Sequence, residues 1–129
     1  MPSRLLPTAA GCVLHDAGQD WDAIHVPSQI GLAAVTILGA RCGAVAVNPY
    51  SRVVYYFVPR GTAAEWDVER TRAIGQGGTV TIPPARWTHG PGPHWRICPG
   101  DGGWLTDARA LRAALEDCSH FGTGSGQSA

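Results

Sequence analysis

The chain has 129 residues, of which 44% are hydrophobic and 16% charged, which fits one globular domain and leaves too little chain for two independent cores. Ten acidic residues balance ten basic ones, and this neutrality argues against a global field that would attract nucleic acid. All ten basic residues are arginine, which excludes a lysine Schiff base and leaves guanidinium as the permanent cation for binding an anion.

The sequence contains no apolar run near the roughly 20 residues that a transmembrane helix needs. The apolar part of the opening segment, MPSRLLPTAAGC, is too short for a secretory signal, so we expect a cytoplasmic protein. The cysteines have no CxxC spacing and none lies near a histidine at metal-finger spacing. We expect them to be small buried residues, and we expect neither a metal nor another cofactor. They stand at positions 12, 42, 98 and 118.

Two helices are predicted within one domain that spans residues 20–118, between an irregular arm (1–19) and a flexible Gly/Ser-rich tail (119–129). The first helix starts near Pro27 and ends before Gly39, which suits the position after a helix C-terminus. The second runs from Asp107 to about Asp117, with Thr106 as its cap. Each carries one apolar stripe: Ile30, Ala33, Ala34, Ile37 and Leu38 in the first, and Leu105, Ala108, Leu111, Ala114 and Leu115 in the second.

Two hairpins are predicted between the helices. In the first, Ala44–Val47 and Arg52–Val58 flank an Asn-Pro turn, and the second of these strands is apolar on both faces, which favours a central place in the sheet. In the second, Thr79–Ile82 and His94–Ile97 flank a Pro- and Gly-rich loop. The order helix, hairpin, hairpin, helix predicts an α+β fold, a small mainly antiparallel sheet with the helices on one face.

The second predicted hairpin and its loop concentrate the residues with chemistry. His89 and His94 bracket the loop GPGP, and two converging imidazoles would form a general acid/base pair that titrates near neutrality. The alternative is that His89 caps the loop and His94 fills a half-exposed strand position. Two histidines alone do not make a metal site, and the Asp20-x-Asp22 pair stands by itself.

Aromatic and guanidinium groups complete the predicted ligand-binding set. The indoles and one phenol would stack on a planar ligand, and the arginines would hold an anion bidentately along one edge of the hairpin. The alternatives are that the aromatic rings belong to the core and that the arginines pair with Glu65, Asp67 and Glu69. The set consists of Trp66, Trp87, Trp95, Tyr56, Arg72, Arg86 and Arg96.

The segment GQGGTVTIPPARWTHGPGPHWRI resembles the GxGGYVVAPPS…G…YRW segment of bifunctional DNA primase/polymerase (prim-pol) N-terminal domains, of the archaeo-eukaryotic primase group. The segment NPYSRVVYYFVPRG is similar, in eroded form, to the family stretch that carries a Ser-x-His nucleotide-phosphate motif before a strand. The resemblance covers about Gly43 to Trp95, and small uncharacterised actinobacterial proteins look similar. It implies a small sheet with flanking helices and a groove beside the Pro-Pro segment.

The chain departs from the family at the catalytic positions. Asn48-Pro49 follows the strand after which the family carries its acidic metal ligands, and Ser51-Arg52 stands where the phosphate motif has a histidine. A two-metal polymerase needs carboxylates to hold its ions. The resemblance therefore implies a truncated, catalytically degenerate relative without primase or polymerase activity.

Three functions stay open. The first is a small-ligand-binding pocket protein on a primase-like scaffold, with a small molecule as its partner. The second is a cofactor-independent enzyme, an isomerase, lyase or cyclase, that uses a His/Trp pocket. The third is a nucleic-acid-binding accessory module, which the neutral charge disfavours. A homodimer and a protein–protein adaptor that uses exposed strand edges are also compatible with the sequence.

Overall fold

The computed structural model describes residues 6–7, 13–83, 87–88, 92–99 and 104–127. Within them lie two helices, α1 (Ser28–Leu38) and α2 (Ala108–Gln127), and eight strands. The strands are β1 (Leu6–Pro7), β2 (Val13–Asp16), β3 (Asp22–Pro27), β4 (Val45–Asn48), β5 (Val53–Val58), β6 (Arg72–Ile74), β7 (Thr79–Ile82) and β8 (His94–Ile97). In the described part of the chain, no helix is long and apolar enough to cross a membrane.

Five of the strands form an antiparallel sheet in the order β6-β3-β5-β4-β8. β5 is the middle strand, as its apolar character on both faces predicts. Because side chains alternate along a strand, Val54, Tyr56 and Val58 point to one face, and Tyr55 and Phe57 point to the other. Each face therefore needs its own cover.

The first cover is the helix layer. α1 and α2 contact each other and pack their buried residues, among them Ala34, Leu38 and Leu111, against β3, β4 and β5. α1 approaches β5 so closely that a Cβ on Gly31 would overlap the Val54 side chain. The Tyr56 hydroxyl donates a hydrogen bond to the Gly31 carbonyl oxygen at 2.6 Å, which fixes the helix on the sheet.

The second cover is a three-stranded sheet in the order β1-β2-β7. Val80 and Ile82 of β7 pack against the opposite face of the large sheet, together with an aromatic cluster around Phe57. The centroid of the Phe57 ring lies 4.8 Å from that of Trp21 and 5.2 Å from that of Trp104. Both pairs are T-shaped, a favoured geometry for aromatic rings. On this face Ala23, Ala46 and Phe57 are buried, whereas His25 and Tyr55 are only half-buried, so the cover is incomplete.

The predicted α+β class, the placement of both helices on one face and the β4–β5 hairpin are confirmed. The second predicted hairpin is wrong, because β7 pairs with β2 and β8 pairs with β4. The long connection between β7 and β8 allows this, since only a short turn forces consecutive strands to pair. β7 and β8 thus enter different sheets. Their side chains Val80, Ile82 and Trp95 meet in the core on the face of the large sheet opposite the helices, which we call the second core.

The helix boundaries agree in part with the sequence. α1 ends at Leu38, and the residue that follows is Gly39, whose φ of 56° suits glycine. At the start of α2, the Asp107 carboxylate, rather than Thr106, accepts the hydrogen bond from the Ala110 N–H. Thr106 is buried instead, and its hydroxyl oxygen accepts from the Gly43 N–H at 2.8 Å. α2 continues to Gln127 through the segment that composition predicts to be flexible, and that flexibility stays a prediction.

Replacing Tyr56 with Phe should lower the free energy of unfolding by about 1–3 kcal/mol, because the buried hydrogen bond from its hydroxyl to the Gly31 carbonyl is lost. Urea denaturation with tryptophan fluorescence measures the change. Tyr55→Phe is the matched control, since Tyr55 is half-buried, and we expect a change below about 0.5 kcal/mol. Equal losses in both variants would contradict the assignment.

Candidate functional site

The structure disperses the residues predicted to form the site. Tyr56 is buried under α1, and Trp95 is 2% exposed in the aromatic cluster. The Trp66 indole N–H donates to the Thr71 hydroxyl oxygen at 2.8 Å, far along the chain from the expected loop. Arg86 and His89 lie outside the described residues, so the predicted His89–His94 pair stays a prediction.

The predicted alignment of arginines along one hairpin edge is wrong. Arg72 is on β6 and Arg96 is on β8, the two opposite edges of the five-stranded sheet. Four strand spacings of about 4.8 Å place the two strands roughly 19 Å apart. His94 lies on β8 with Arg96, and its Nδ1 is 2.9 Å from the Gly92 carbonyl oxygen. Trp87 lies beyond β8, where its carbonyl oxygen accepts from the Trp95 N–H at 2.6 Å.

The strand register instead brings three other groups together. His25 of β3 lies opposite Arg72 of β6 on one side and opposite Tyr55 of β5 on the other. Directly paired residues share a face, so the three side chains form one row, which we call the His25–Tyr55–Arg72 row. The His25 and Tyr55 rings meet edge to face with centroids 5.4 Å apart.

The row lies on the face that the helices do not cover, and it opens toward β6. Continuing it across β4 and β8 gives Ala46 and Trp95, both only 2% exposed. Tyr55 and His25 are half-buried, and Arg72 is exposed. The polar groups therefore stand at the rim of the second core, with an apolar wall on one side and solvent on the other.

The electrostatics of the row favour neutral rings beside a cation. Burial, assisted by the charge of Arg72, lowers the pKa of His25 below its usual 6.5, so the imidazole is neutral at neutral pH. Burial raises the pKa of Tyr55, against a smaller opposing effect of Arg72, and the phenol stays protonated. Within the described part of the chain Arg72 forms no ion pair; Asp67, one of its predicted partners, binds Arg112 instead at 2.6 Å.

This arrangement can recognise a ligand by hydrogen bonding. A neutral imidazole offers one donor and one acceptor, a phenol donates and accepts, and a guanidinium donates only. Among the residues that the structure describes, the Tyr55 hydroxyl and the Arg72 guanidinium have no hydrogen-bond partner, and the His25 ring has only a bond to its own backbone. The row thus presents a cation and two amphipathic rings with most of their bonding capacity unused, on a half-buried surface.

Cysteine and metal chemistry receive no support from the described residues. No three of their His, Cys, Asp and Glu side chains lie close enough to hold a metal ion. Cys42, Cys98 and Cys118 are free. Burial raises the pKa of Cys42 to about 11 and also raises the pKa of Cys118, so both thiols stay protonated and unreactive at neutral pH.

Within the Asp20-x-Asp22 pair, Asp22 has a structural role. Its side chain is buried, and its carboxylate accepts hydrogen bonds from the Gly61 and Ala63 N–H groups at 3.0 and 2.8 Å. These bonds hold the short helical turn Thr62–Glu65 against β3. The Thr62 hydroxyl donates to the Pro59 carbonyl oxygen at the start of this turn.

Sequence reasoning missed His25 and Tyr55. The available signal was a histidine inside the mostly apolar strand DAIHVP, where a polar residue must face water or a partner.

A scan against protein-family models finds no matching family, and no curated protein or solved structure matches the chain.

Asp22→Ala should destabilise the protein by about 1–3 kcal/mol, because two backbone N–H groups lose a charged acceptor. Asp20→Ala is the control, since Asp20 is exposed and a surface substitution of this kind changes stability by less than about 0.5 kcal/mol. Chemical denaturation of both variants gives the comparison. A stable Asp22→Ala protein would rule out the capping role.

His25 should make folding stability depend on pH. Its pKa is lower in the folded than in the unfolded state, so its contribution is intact above 6.5 and is lost as the pH falls through the folded pKa. His25→Gln should therefore lose less stability than the wild type on acidification. Urea midpoints measured between about pH 7.5 and 5 test this. His94→Gln serves as the control, and a wild-type slope unchanged in His25→Gln would contradict the prediction.

Proposed function

We propose that the protein binds a small planar ligand carrying an anionic group, at the His25–Tyr55–Arg72 row. The observation that carries the proposal is the register, which aligns a guanidinium that has no ion-pair partner among the described residues with two half-buried rings on the face free of helices. Arg72 would hold the anion through paired N–H donors. His25 and Tyr55 would contact the ring and its polar substituents.

The ligand class follows from the one positive charge and the two rings of the row. One guanidinium matches a carboxylate or one phosphate, and a charged partner for it is worth more than a neutral one. The two rings favour an aromatic body, because aromatic pairs add to the free energy of apolar burial. A nucleoside monophosphate and an aromatic carboxylate share this chemistry. A nucleotide would also agree with the resemblance to the primase group, on a scaffold without the family's metal-binding carboxylates.

A single cation argues against a nucleic-acid strand as the ligand. Strand binding draws on several phosphate contacts and weakens steeply as salt rises, whereas a small ligand held by one ion pair depends on salt only weakly. Catalysis by His89 and His94 remains a hypothesis, and no contact among the described residues favours it over binding.

Arg72→Gln should weaken binding of the ligand at least about tenfold, since a hydrogen bond to a charged group contributes about 1.5–3 kcal/mol. Thermal shift selects among adenosine monophosphate, guanosine monophosphate, benzoate and inorganic phosphate, and titration calorimetry measures the affinity. A nucleotide preferred over benzoate identifies a phosphate source, and the reverse identifies a carboxylate. Arg96→Gln, at the opposite sheet edge, is the matched control.

The same titration has a pH signature. An anion beside His25 would raise the pKa of the imidazole, so binding should take up a proton and tighten as the pH falls toward the free-state pKa. His25→Gln should lose this dependence, and Tyr55→Phe should retain it. If no ring-bearing anion stabilises the protein, or if Arg96→Gln weakens binding as much as Arg72→Gln does, the proposal is wrong. A shift produced only by a single-stranded oligonucleotide, and removed by salt, would support the accessory-module hypothesis instead.

A further inference from the structure

A concave surface lies where β5 ends and α2 begins, beside the short helical turn Thr62–Glu65. It has a volume of about 520 Å³, within the range of about 300–1,000 Å³ typical of small-molecule sites. We call it the Trp66 cleft. Its lining consists of Arg60, Gly61, Thr62, Glu65, Trp66, Ala108, Arg109 and Arg112.

Two of its arginines have no carboxylate partner among the residues that the structure describes. Arg112 is already bound, to Asp67 at 2.6 Å and to Glu116 at 3.3 Å. Arg60 donates one N–H to the Gln19 carbonyl oxygen at 3.2 Å, and its other N–H groups have no partner within the described ranges of the chain. In the part of the chain that the structure describes, Arg109 has no ion-pair partner. Arg60 and Arg109 together offer a site for a carboxylate.

The cleft also holds an unpaired charge of the opposite sign. Glu65 lines the same volume as three arginines and forms an ion pair with none of them among the described contacts. Trp66 also lines the cleft, and its indole N–H already donates to the Thr71 hydroxyl oxygen, so only its ring surface can contact a ligand. The lining therefore combines separated positive and negative charges with an aromatic wall.

We infer that the Trp66 cleft binds a zwitterion, a free α-amino acid with an apolar side chain. The ligand carboxylate binds Arg60 and Arg109, its ammonium group binds Glu65, and its side chain packs on Trp66. This assignment uses each unpaired group of the cleft, whereas a simple anion would leave Glu65 opposing it. The site is independent of the His25–Tyr55–Arg72 row and involves different residues.

The test compares L-phenylalanine with two analogues that each remove one charge. Titration calorimetry and thermal shift should detect L-phenylalanine, while N-acetyl-L-phenylalanine, without the ammonium, and L-phenylalaninamide, without the carboxylate, should bind at least about tenfold more weakly. Arg109→Gln and Glu65→Gln should each weaken L-phenylalanine binding by a similar factor. Arg41→Gln, an exposed arginine outside the cleft, is the control variant.

Several outcomes would overturn the inference. If Glu65→Gln tightens binding and N-acetyl-L-phenylalanine binds best, the cleft takes simple anions. If none of the three compounds binds the wild type, the cleft is not an amino-acid site. Urea midpoints confirm that the variants remain folded. L-Phenylalanine also carries an aromatic ring and a carboxylate, so the titrations are repeated in Arg72→Gln, which lacks the cation of the His25–Tyr55–Arg72 row. Binding that persists in this variant belongs to the cleft, and binding that is lost would overturn the inference, so failure here and failure at the row are separate results.

Discussion

The structure depends on one strand that is apolar on both faces. β5 occupies the middle of the five-stranded sheet, and burying it requires material on each side. The helices supply one cover, and Tyr56 fixes α1 there through the Gly31 carbonyl. The small sheet and the aromatic cluster supply the other cover over part of the face. The part of this face that stays uncovered carries the His25–Tyr55–Arg72 row. The candidate binding surface is therefore a consequence of the incomplete cover.

Local patterns predicted what is local in this fold. The apolar stripe and Gly39 defined α1, and the Asn-Pro turn between two β-branched runs defined the β4–β5 hairpin. Pairing between distant segments was beyond such reasoning. β3 lies between β5 and β6, and no short-range pattern states that order or its register. His25, Tyr55 and Arg72 converge only through those pairings, and the sequence therefore could not reveal them as one group.

The arginines illustrate how one residue type serves different ends. Arg112 is a structural cation that ties α2 to Asp67, whereas Arg72, Arg60 and Arg109 carry charges that no described carboxylate neutralises. A chain without lysine must use guanidinium for both purposes. The number of arginines therefore says little about binding, and the distinction lies in which of them have carboxylate partners. Net neutrality over the whole chain coexists with local imbalance at both candidate sites.

The adjacent tyrosines of β5 lie on opposite faces of the sheet, and this bears on how the register of the strand is determined. Tyr56 is buried beneath α1 and Tyr55 borders the open face. A slip by one residue that put Tyr56 in the place of Tyr55 would keep a tyrosine at that position, but it would also put Tyr55 in the place of Val54 and Val58 in the place of Phe57. These neighbours discriminate between the two registers, because Phe57 packs against Trp104 and Gly31 of α1 lies so close to Val54 that a larger side chain would be crowded there. Side-chain volume, rather than polarity, therefore determines which face of β5 packs against the helices.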